Sequence, residues 1–372
     1  MRNRIREVYP LIRLATVLAL MTLGCSAMYA GVMVLEPLAL ELDTGRGNSS
    51  LIYSTFMIGF ALGGVFMGRL ADRMGIMIPA LIGSLALPAG FYLAAHASSI
   101  LEICLAFSLL CGFLGSSFSM APLIADISHW FSRRRGLAVG IAFSGSYVAG
   151  AIWPPILQRM FDAQGWRESF VDLALLTLIL MALLSLLLYP RSPINKQLPT
   201  ASSANSNLTN SAISAGTLQS LIYLAGFGCC VAMAMPQVHI VPYVMDLGHP
   251  AIRGAEMLGL MLGFGVISRV GSGWLSDRIG GLATLVLGSA LQVAVLIAFL
   301  TGNSLVFLYG ISIAFGLSQG GIVPSYTIIL RAFFPPKQAG WRISTSFLFT
   351  VAGMAFGGWI AGLLYDLTGS YT

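Results

Sequence analysis

Arg269 lies inside an otherwise apolar stretch, Gly263-Phe264-Gly265-Val266-Ile267-Ser268-Arg269-Val270-Gly271. On a helix it sits about 12 Å of rise before Asp277. A guanidinium stays charged at any working pH and presents a planar fork that matches a carboxylate. Holding it within a hydrocarbon layer costs at least about 2.5–3.5 kcal/mol on insertion scales, so it should face the protein interior and a partner. That partner is either an anionic solute or a structural carboxylate or carbonyl, unless the side chain snorkels to the interface. No acidic residue occurs at comparable depth, which favours the solute. No lysine or second arginine lies comparably deep. A dianion in a low-dielectric cavity would want two cations, so one charge points to one carboxylate.

A second pattern occurs twice at a constant offset. Gly68-Arg69-Leu70-Ala71-Asp72-Arg73-Met74-Gly75 returns as Gly273-Trp274-Leu275-Ser276-Asp277-Arg278-Ile279-Gly280. Each copy closes a long apolar run with Asp-Arg and a glycine, as a membrane helix does on meeting a tight loop. Gly136 and Gly340, Asp162 and Asp366, and Gly165 and Gly369 pair at an offset one residue shorter. A chain that repeats itself this way is a duplicated helical bundle. The register places Gly64 opposite Arg269, so the scaffold is symmetric and the charge is not.

The elements that must position these residues are membrane helices. The chain is 57% hydrophobic and 9% charged, with a mean hydropathy of +0.84. A soluble domain carries about a quarter charged residues, so this chain cannot cover itself with a polar surface. Apolar runs of spanning length lie near 14–38, 51–70, 77–96, 101–127, 136–157, 169–189, 217–243, 255–275, 282–301, 304–331 and 341–364. Residues 190–216, rich in Ser, Asn, Thr and Ala, read as a flexible cytoplasmic linker. It separates a six-helix bundle, 1–189, from a five-helix bundle, 217–372. Gly165-Trp166-Arg167 leads into a sixth helix, whereas Gly369-Ser370-Tyr371-Thr372 stops where a twelfth is expected.

The net charge of +6 reflects topology, not nucleic acid. Arg2, Arg4, Arg6, Arg13, Arg69, Arg73, Arg133 to Arg135, Arg191, Lys196, Arg278, Arg331, Lys337 and Arg342 fall before the first run or in alternate loops. Only Arg46, Arg159, Arg167 and Arg253 fall on the other side. The rule that positive loops stay inside makes the N-terminus and central loop cytoplasmic, in the plasma membrane. The first run is too long for a signal peptide. Cys25, Cys104, Cys111, Cys229 and Cys230 sit in apolar runs without metal-ligand spacing and act as small hydrophobes. No metal or cofactor is expected, and no acid/base or nucleophile constellation suggests an enzyme. Gly59, Gly63, Gly64 and Gly68, like Gly353, Gly357, Gly358 and Gly362, form small-residue rows for close helix packing.

With these residues in view, the chain resembles the major facilitator superfamily. Gly68 to Gly75 is similar to the signature of its loop between helices 2 and 3. It departs where Ile76 and Met77 replace the usual basic pair. Trp130 to Ala142, Ser144-Gly145, Pro154-Pro155 and Gly165-Trp166-Arg167 resemble monocarboxylate-transporter-like members. Those members and oxalate-type ones carry an arginine at the place of Arg269. Oxalate-type members add a basic residue in helix 11, where Ser344, Thr345, Ser346 and Thr350 stand here.

The resemblance implies two pseudo-symmetric bundles, all α-helical, alternating access to a central cavity. It places Tyr29, Ser144, Tyr147, Gln319, Ser325 and Tyr326 in cavity-lining spans, where each could bond solute or a neighbouring helix. It makes Asp72 and Asp277 gating carboxylates, working with Arg73, Arg278, Arg134 and Arg135. The alternative is that they only cap tight loops. His239 and Glu36, near the outer ends of their helices, are candidates for proton coupling. Asp126 and His129 read as a cytoplasmic charge cluster beside Arg133 to Arg135.

The expected protein is a monomeric secondary transporter of a small organic anion, monocarboxylate-like, coupled to a proton or another ion and surrounded by lipid. The rivals are an exporter of amphiphilic drugs, lined by methionines and aromatics, and a non-transporting relic or sensor.

Overall fold

The computed structural model describes residues 2–131, 135–190, 214–334 and 336–371. The expected linker therefore falls almost entirely outside the described residues. The chain begins with α1 (Arg2–Gly24), α2 (Ser26–Met33) and α3 (Leu35–Glu41), one path interrupted at Cys25 and Val34. α4 (Arg46–Met74) and α5 (Met77–His96) follow as long rods. α6 (Ile100–Leu105) widens into a π-helical stretch, Ala106–Ser116, before a short turn and α7 (Ala121–Trp130). α8 (Arg135–Phe143) and α9 (Gly145–Gln164) are separated at Ser144, and α10 (Trp166–Leu186) completes the first segment. The second segment holds α11 (Ala215–Asp246), α12 (Ala251–Ile279) and α13 (Gly281–Ala298). It continues through α14 (Leu305–Gln319), α15 (Ile322–Phe333) and α16 (Pro336–Thr368).

Ten helical stretches among the described residues are long and apolar enough to cross a membrane. The run expected over 136–157 is the one that falls short of that measure. It is built as α8 and α9, and α9 carries Gln158, Arg159 and Asp162 toward its end. Lipid cannot satisfy a bare backbone amide, which is why the spanning elements are helices. Leu175, Leu183, Val286, Val293 and Leu300 are exposed, as the lipid-facing stripe of such helices must be.

The duplicated pattern now has a physical basis. α4 ends at Gly75 and α12 at Gly280, with φ of 86° and 84°. Side chains other than hydrogen rarely tolerate that conformation, so glycine closes both helices.

Small residues set how closely helices approach. A Cβ on Gly59 or Gly63 would collide with the backbone of Ser108 or Phe113 in the π-helical stretch. Across the seam between the two segments, Gly362 lies against the backbone of Arg46 and Gly358 against Tyr53, so α16 packs on α4. α12 packs on α9 in the same way, with Gly265 against Tyr147 and Gly259 against Ala151. These contacts occupy the half of the seam nearer Arg46. At the other end, Gly64, Gly68, Gly140, Gly271 and Gly273 have nothing within 4 Å of the space a Cβ would take. Among the described residues, the segments meet at the Arg46 end.

Gly59→Ala is expected to destabilise the protein by about 1–3 kcal/mol through overpacking, while Gly64→Ala should cost nothing measurable. Melting temperatures in detergent check the pair, and equal losses at the two positions would contradict the packing described.

Candidate solute-binding site

Between the two segments lies a cavity of about 90 Å³. Its wall is overwhelmingly apolar, built from Phe56, Phe60, Phe143 and Phe347 with several methionines. Arg269 is the one charged side chain among the described residues that line it.

Two interrupted helices hold Arg269 there. α14 stops at Gln319 and α15 starts at Ile322, and Gly320 between them presses against the backbone of α12 at Arg269. Ser268 Oγ fastens the same approach by donating to the Leu317 carbonyl at 2.5 Å. Arg269 Nε reaches the Gly320 carbonyl at 3.4 Å, and Nη1 reaches the Phe143 carbonyl, beside the α8–α9 break, at 3.5 Å. Both distances are at the weak end for hydrogen bonds. The guanidinium also lies 4.1 Å from the Tyr147 ring centroid and 4.8 Å from that of Phe143, within cation–π range. No carboxylate among the described residues forms an ion pair with it. The aromatic faces orient the fork without consuming its donors, which leaves it able to grip a carboxylate.

The other expected solute contacts divide. Tyr29 and Tyr147 line the cavity, and Tyr29 Oη donates to the Ser146 carbonyl at 3.0 Å. Ser144 turns back to the Gly140 carbonyl at 2.9 Å and lies outside the lining, where Ser146 stands instead. Ser325 donates to the Gly321 carbonyl at 2.7 Å, and Tyr326 packs in a separate cluster with Ile222 and Ile322. Gln319 sits one layer back: its Oε1 accepts from Gln237 Nε2 at 2.7 Å, and Gln237 faces the cavity. The 3.6-residue period alone cannot tell a wall residue from one behind it.

The residues expected to couple or gate lie at the two ends of the seam. Glu36 pairs with Arg46 at 3.1 Å. His239 is buried with both ring nitrogens engaged, Nδ1 with Tyr371 Oη at 2.9 Å and Nε2 with the Gly358 carbonyl at 2.7 Å. At the opposite end Asp72 and Arg73 are exposed, and Arg278 stacks on Trp274 at 3.9 Å. Arg134 and the side chains of Arg135 and Asp277 lie outside the described residues.

Two buried cations were missed when all loop arginines were counted as topological. Arg46 joins four helices: it pairs with Asp246 of α11 and Glu36 of α3, and lies 4.0 Å from the Tyr365 ring centroid of α16. Asp366 of α16 accepts from the first backbone amides of α4, Arg46 N at 2.8 Å and Gly47 N at 2.7 Å. Arg13 is fully buried in a two-point pair with Asp126, at 2.7 and 2.9 Å, and stacks over Trp130. Asp126 is thus part of an interhelical pair. The repeat of Asp162 at Asp366 was the available signal for the first cluster. Nothing in the sequence marked the second.

Two bundles of spanning helices around a charged central cavity match a known family. The sequence model of the Major Facilitator Superfamily covers residues 15–340. The chain belongs to this superfamily. It is 26% identical to monocarboxylate transporter 13 of Bos taurus over 84% of this chain and 72% of that protein. It is 28% identical to monocarboxylate transporter 11 of Homo sapiens over 82% of this chain and 66% of that protein. The MFS-type transporter pytF of Aspergillus terreus is 28% identical over 64% of this chain and 80% of its own length. Among solved structures, a bacterial homologue of the human lysosomal transporter Spinster, inward-facing and unoccupied, has a TM-score of 0.76 at 15% identity. That match spans 96% of this chain and 83% of the other. A nucleoside transporter NupG structure gives 0.75 at 13% identity, covering 97% and 92%. At those identities the likeness is one of fold. The chain is a multi-pass membrane transporter of the superfamily, resembling its monocarboxylate-transporter-like members.

Arg46→Ala would leave Glu36 and Asp246 without their cation. A cost of about 2 kcal/mol is expected, between the values for exposed and fully buried pairs. A lowered melting temperature in detergent, partly restored by the double variant Arg46→Ala/Asp246→Asn, checks it.

Proposed function

We propose that this protein is a secondary active transporter of a small organic monoanion, monocarboxylate-like, with Arg269 as the carboxylate anchor. The observation that carries the proposal is an arginine with no carboxylate partner among the described residues, and the one charged residue among those that line the cavity. A carboxylate entering this apolar chamber meets a bidentate partner in a medium where the attraction is strong. The names of the relatives support the solute class.

The transport cycle is alternating access by two rocking bundles, 1–189 and 217–372. Contact at the Arg46 end supports an inward-facing state, because the positive loops concentrate at the opposite end. On that orientation the N-terminus and the central loop are cytoplasmic. Outward opening breaks the Arg46 cluster. Asp72, Arg73, Asp277 and Arg278, with Arg134 and Arg135, come together on the closing side.

The coupling ion is a proton. Carrying it with a monoanion moves no net charge and avoids about 2.3 kcal/mol per charge per 100 mV. Glu36 and His239 meet the Arg46 cluster directly or through Tyr371, which supports a link between their protonation and its opening.

The apolar lining favours one rival, export of amphiphiles, in which Arg269 would matter little. In proteoliposomes, Arg269→Ala is expected to lower carboxylate flux about thirtyfold or more, the equivalent of at least 2 kcal/mol, with insertion and melting temperature retained. Wild-type flux in that variant would end the anchor reading. Competition by lipophilic cations and not by carboxylates would favour the exporter, and saturable binding without flux would favour the sensor. An imposed acid-outside gradient should accelerate carboxylate entry, and indifference to the gradient would remove the proton.

A further inference from the structure

The cavity wall contains few polar side chains, and most of their hydrogen-bonding capacity is spent within the protein. Tyr29 donates to the Ser146 carbonyl, Ser146 Oγ to the Phe143 carbonyl, Thr350 Oγ1 to the Phe347 carbonyl and Gln237 Nε2 to Gln319. Two wall hydroxyls, Tyr147 Oη and Ser116 Oγ, have no hydrogen-bond partner among the described residues, and Ser116 is the one whose side chain is fully buried.

A buried hydroxyl without a partner is unfavourable, and buried polar groups are rarely left so. An alanine would make the same apolar contacts without that penalty. Ser116 also ends the π-helical stretch Ala106–Ser116, and such irregular turns recur at functional sites. Four residues earlier, Gly112 packs against the backbone of Phe56 and Phe60, two of the aromatic residues of the wall. The unspent hydroxyl therefore belongs to the first segment's aromatic side of the chamber. The guanidinium belongs to the second segment, on α12. A solute that satisfies both spans the seam.

The wall between these two groups sets the rest. Phenylalanines and methionines offer nothing to the polar groups of a short hydrophilic acid, which would lose its hydration without replacement. An apolar body gains from the same burial. We propose that the solute is an amphipathic monocarboxylate with three parts. Its carboxylate sits on Arg269, its aromatic or branched apolar body fills the Phe and Met chamber, and a hydroxyl or carbonyl oxygen on that body bonds Ser116. This rests on the anchor role of Arg269 and adds a substrate class and a specificity-determining residue.

The test is ligand-dependent thermal shift of the purified full chain in detergent, titrated with acetate, phenylacetate, 4-hydroxyphenylacetate and 2-phenylethanol. Phenylacetate should bind about tenfold or more tightly than acetate, from the apolar area it buries. 4-Hydroxyphenylacetate should bind about three- to tenfold more tightly than phenylacetate, the worth of one neutral hydrogen bond. Ser116→Ala should bring the ratio of those two affinities close to one, and Ser116→Thr should keep it. If the alanine variant does not purify, Ser116→Cys, with its weak hydrogen-bonding thiol, gives the same readout. The proposal is overturned if acetate binds as tightly as 4-hydroxyphenylacetate. It is also overturned if neither aromatic acid binds, or if the ratio survives loss of the hydroxyl. Two other results would instead bring down the anchor role: carboxylate affinity retained in Arg269→Gln, or 2-phenylethanol binding as tightly as phenylacetate.

Discussion

A permanent positive charge at hydrocarbon depth must be surrounded by something other than lipid, and much of the central structure follows from that. Lipid offers no counter-charge and no acceptor. Arg269 finds two carbonyls beside helix interruptions, at Phe143 and Gly320, and two aromatic faces, at Phe143 and Tyr147. The interruptions are what make those carbonyls reachable. The arrangement stabilises the guanidinium enough to keep it in place while leaving its fork short of a strong partner. A residue held that way is disposed toward an anion that comes and goes.

The same solvent explains where the other charges went. Arg13 and Arg46 are both buried, and each is matched by carboxylates and by aromatic rings. Buried pairs of this kind resist removal of one partner far more than they add to stability as a unit. Their value here is placement. Arg13 ties α1 to α7 within the first segment. Arg46, with Asp246 and Asp366, ties α4 to α11 and α16 across the seam. The first contact is internal to one segment, and the second joins the two.

Much of the fold was legible in the residues. The apolar runs near 51–70, 77–96 and 255–275 fall within α4, α5 and α12, because a membrane span must be long, apolar and helical. Gly75 and Gly280 marked two helix ends through their positive φ. The break inside 136–157 was hidden, since a serine at a helix interruption looks like any other serine. For the site, Arg269 stood out as a charge in an apolar run, and Tyr29 and Tyr147 were found with it. Ser144, Ser325 and Tyr326 share that composition yet point elsewhere. Ser116 carried no signal at all, because an unpartnered hydroxyl is a property of its neighbours.

The amino-acid order by itself determined that this is a duplicated bundle of membrane helices with one unmatched arginine. Those properties depend on composition, period and spacing, which are local. Only the tertiary structure decided which polar groups face the cavity and which are already spent. It also decided which arginines are buried and where along the seam the segments meet. Each of these depends on what another helix brings within about 3–4 Å, a distance that no spacing along the chain encodes.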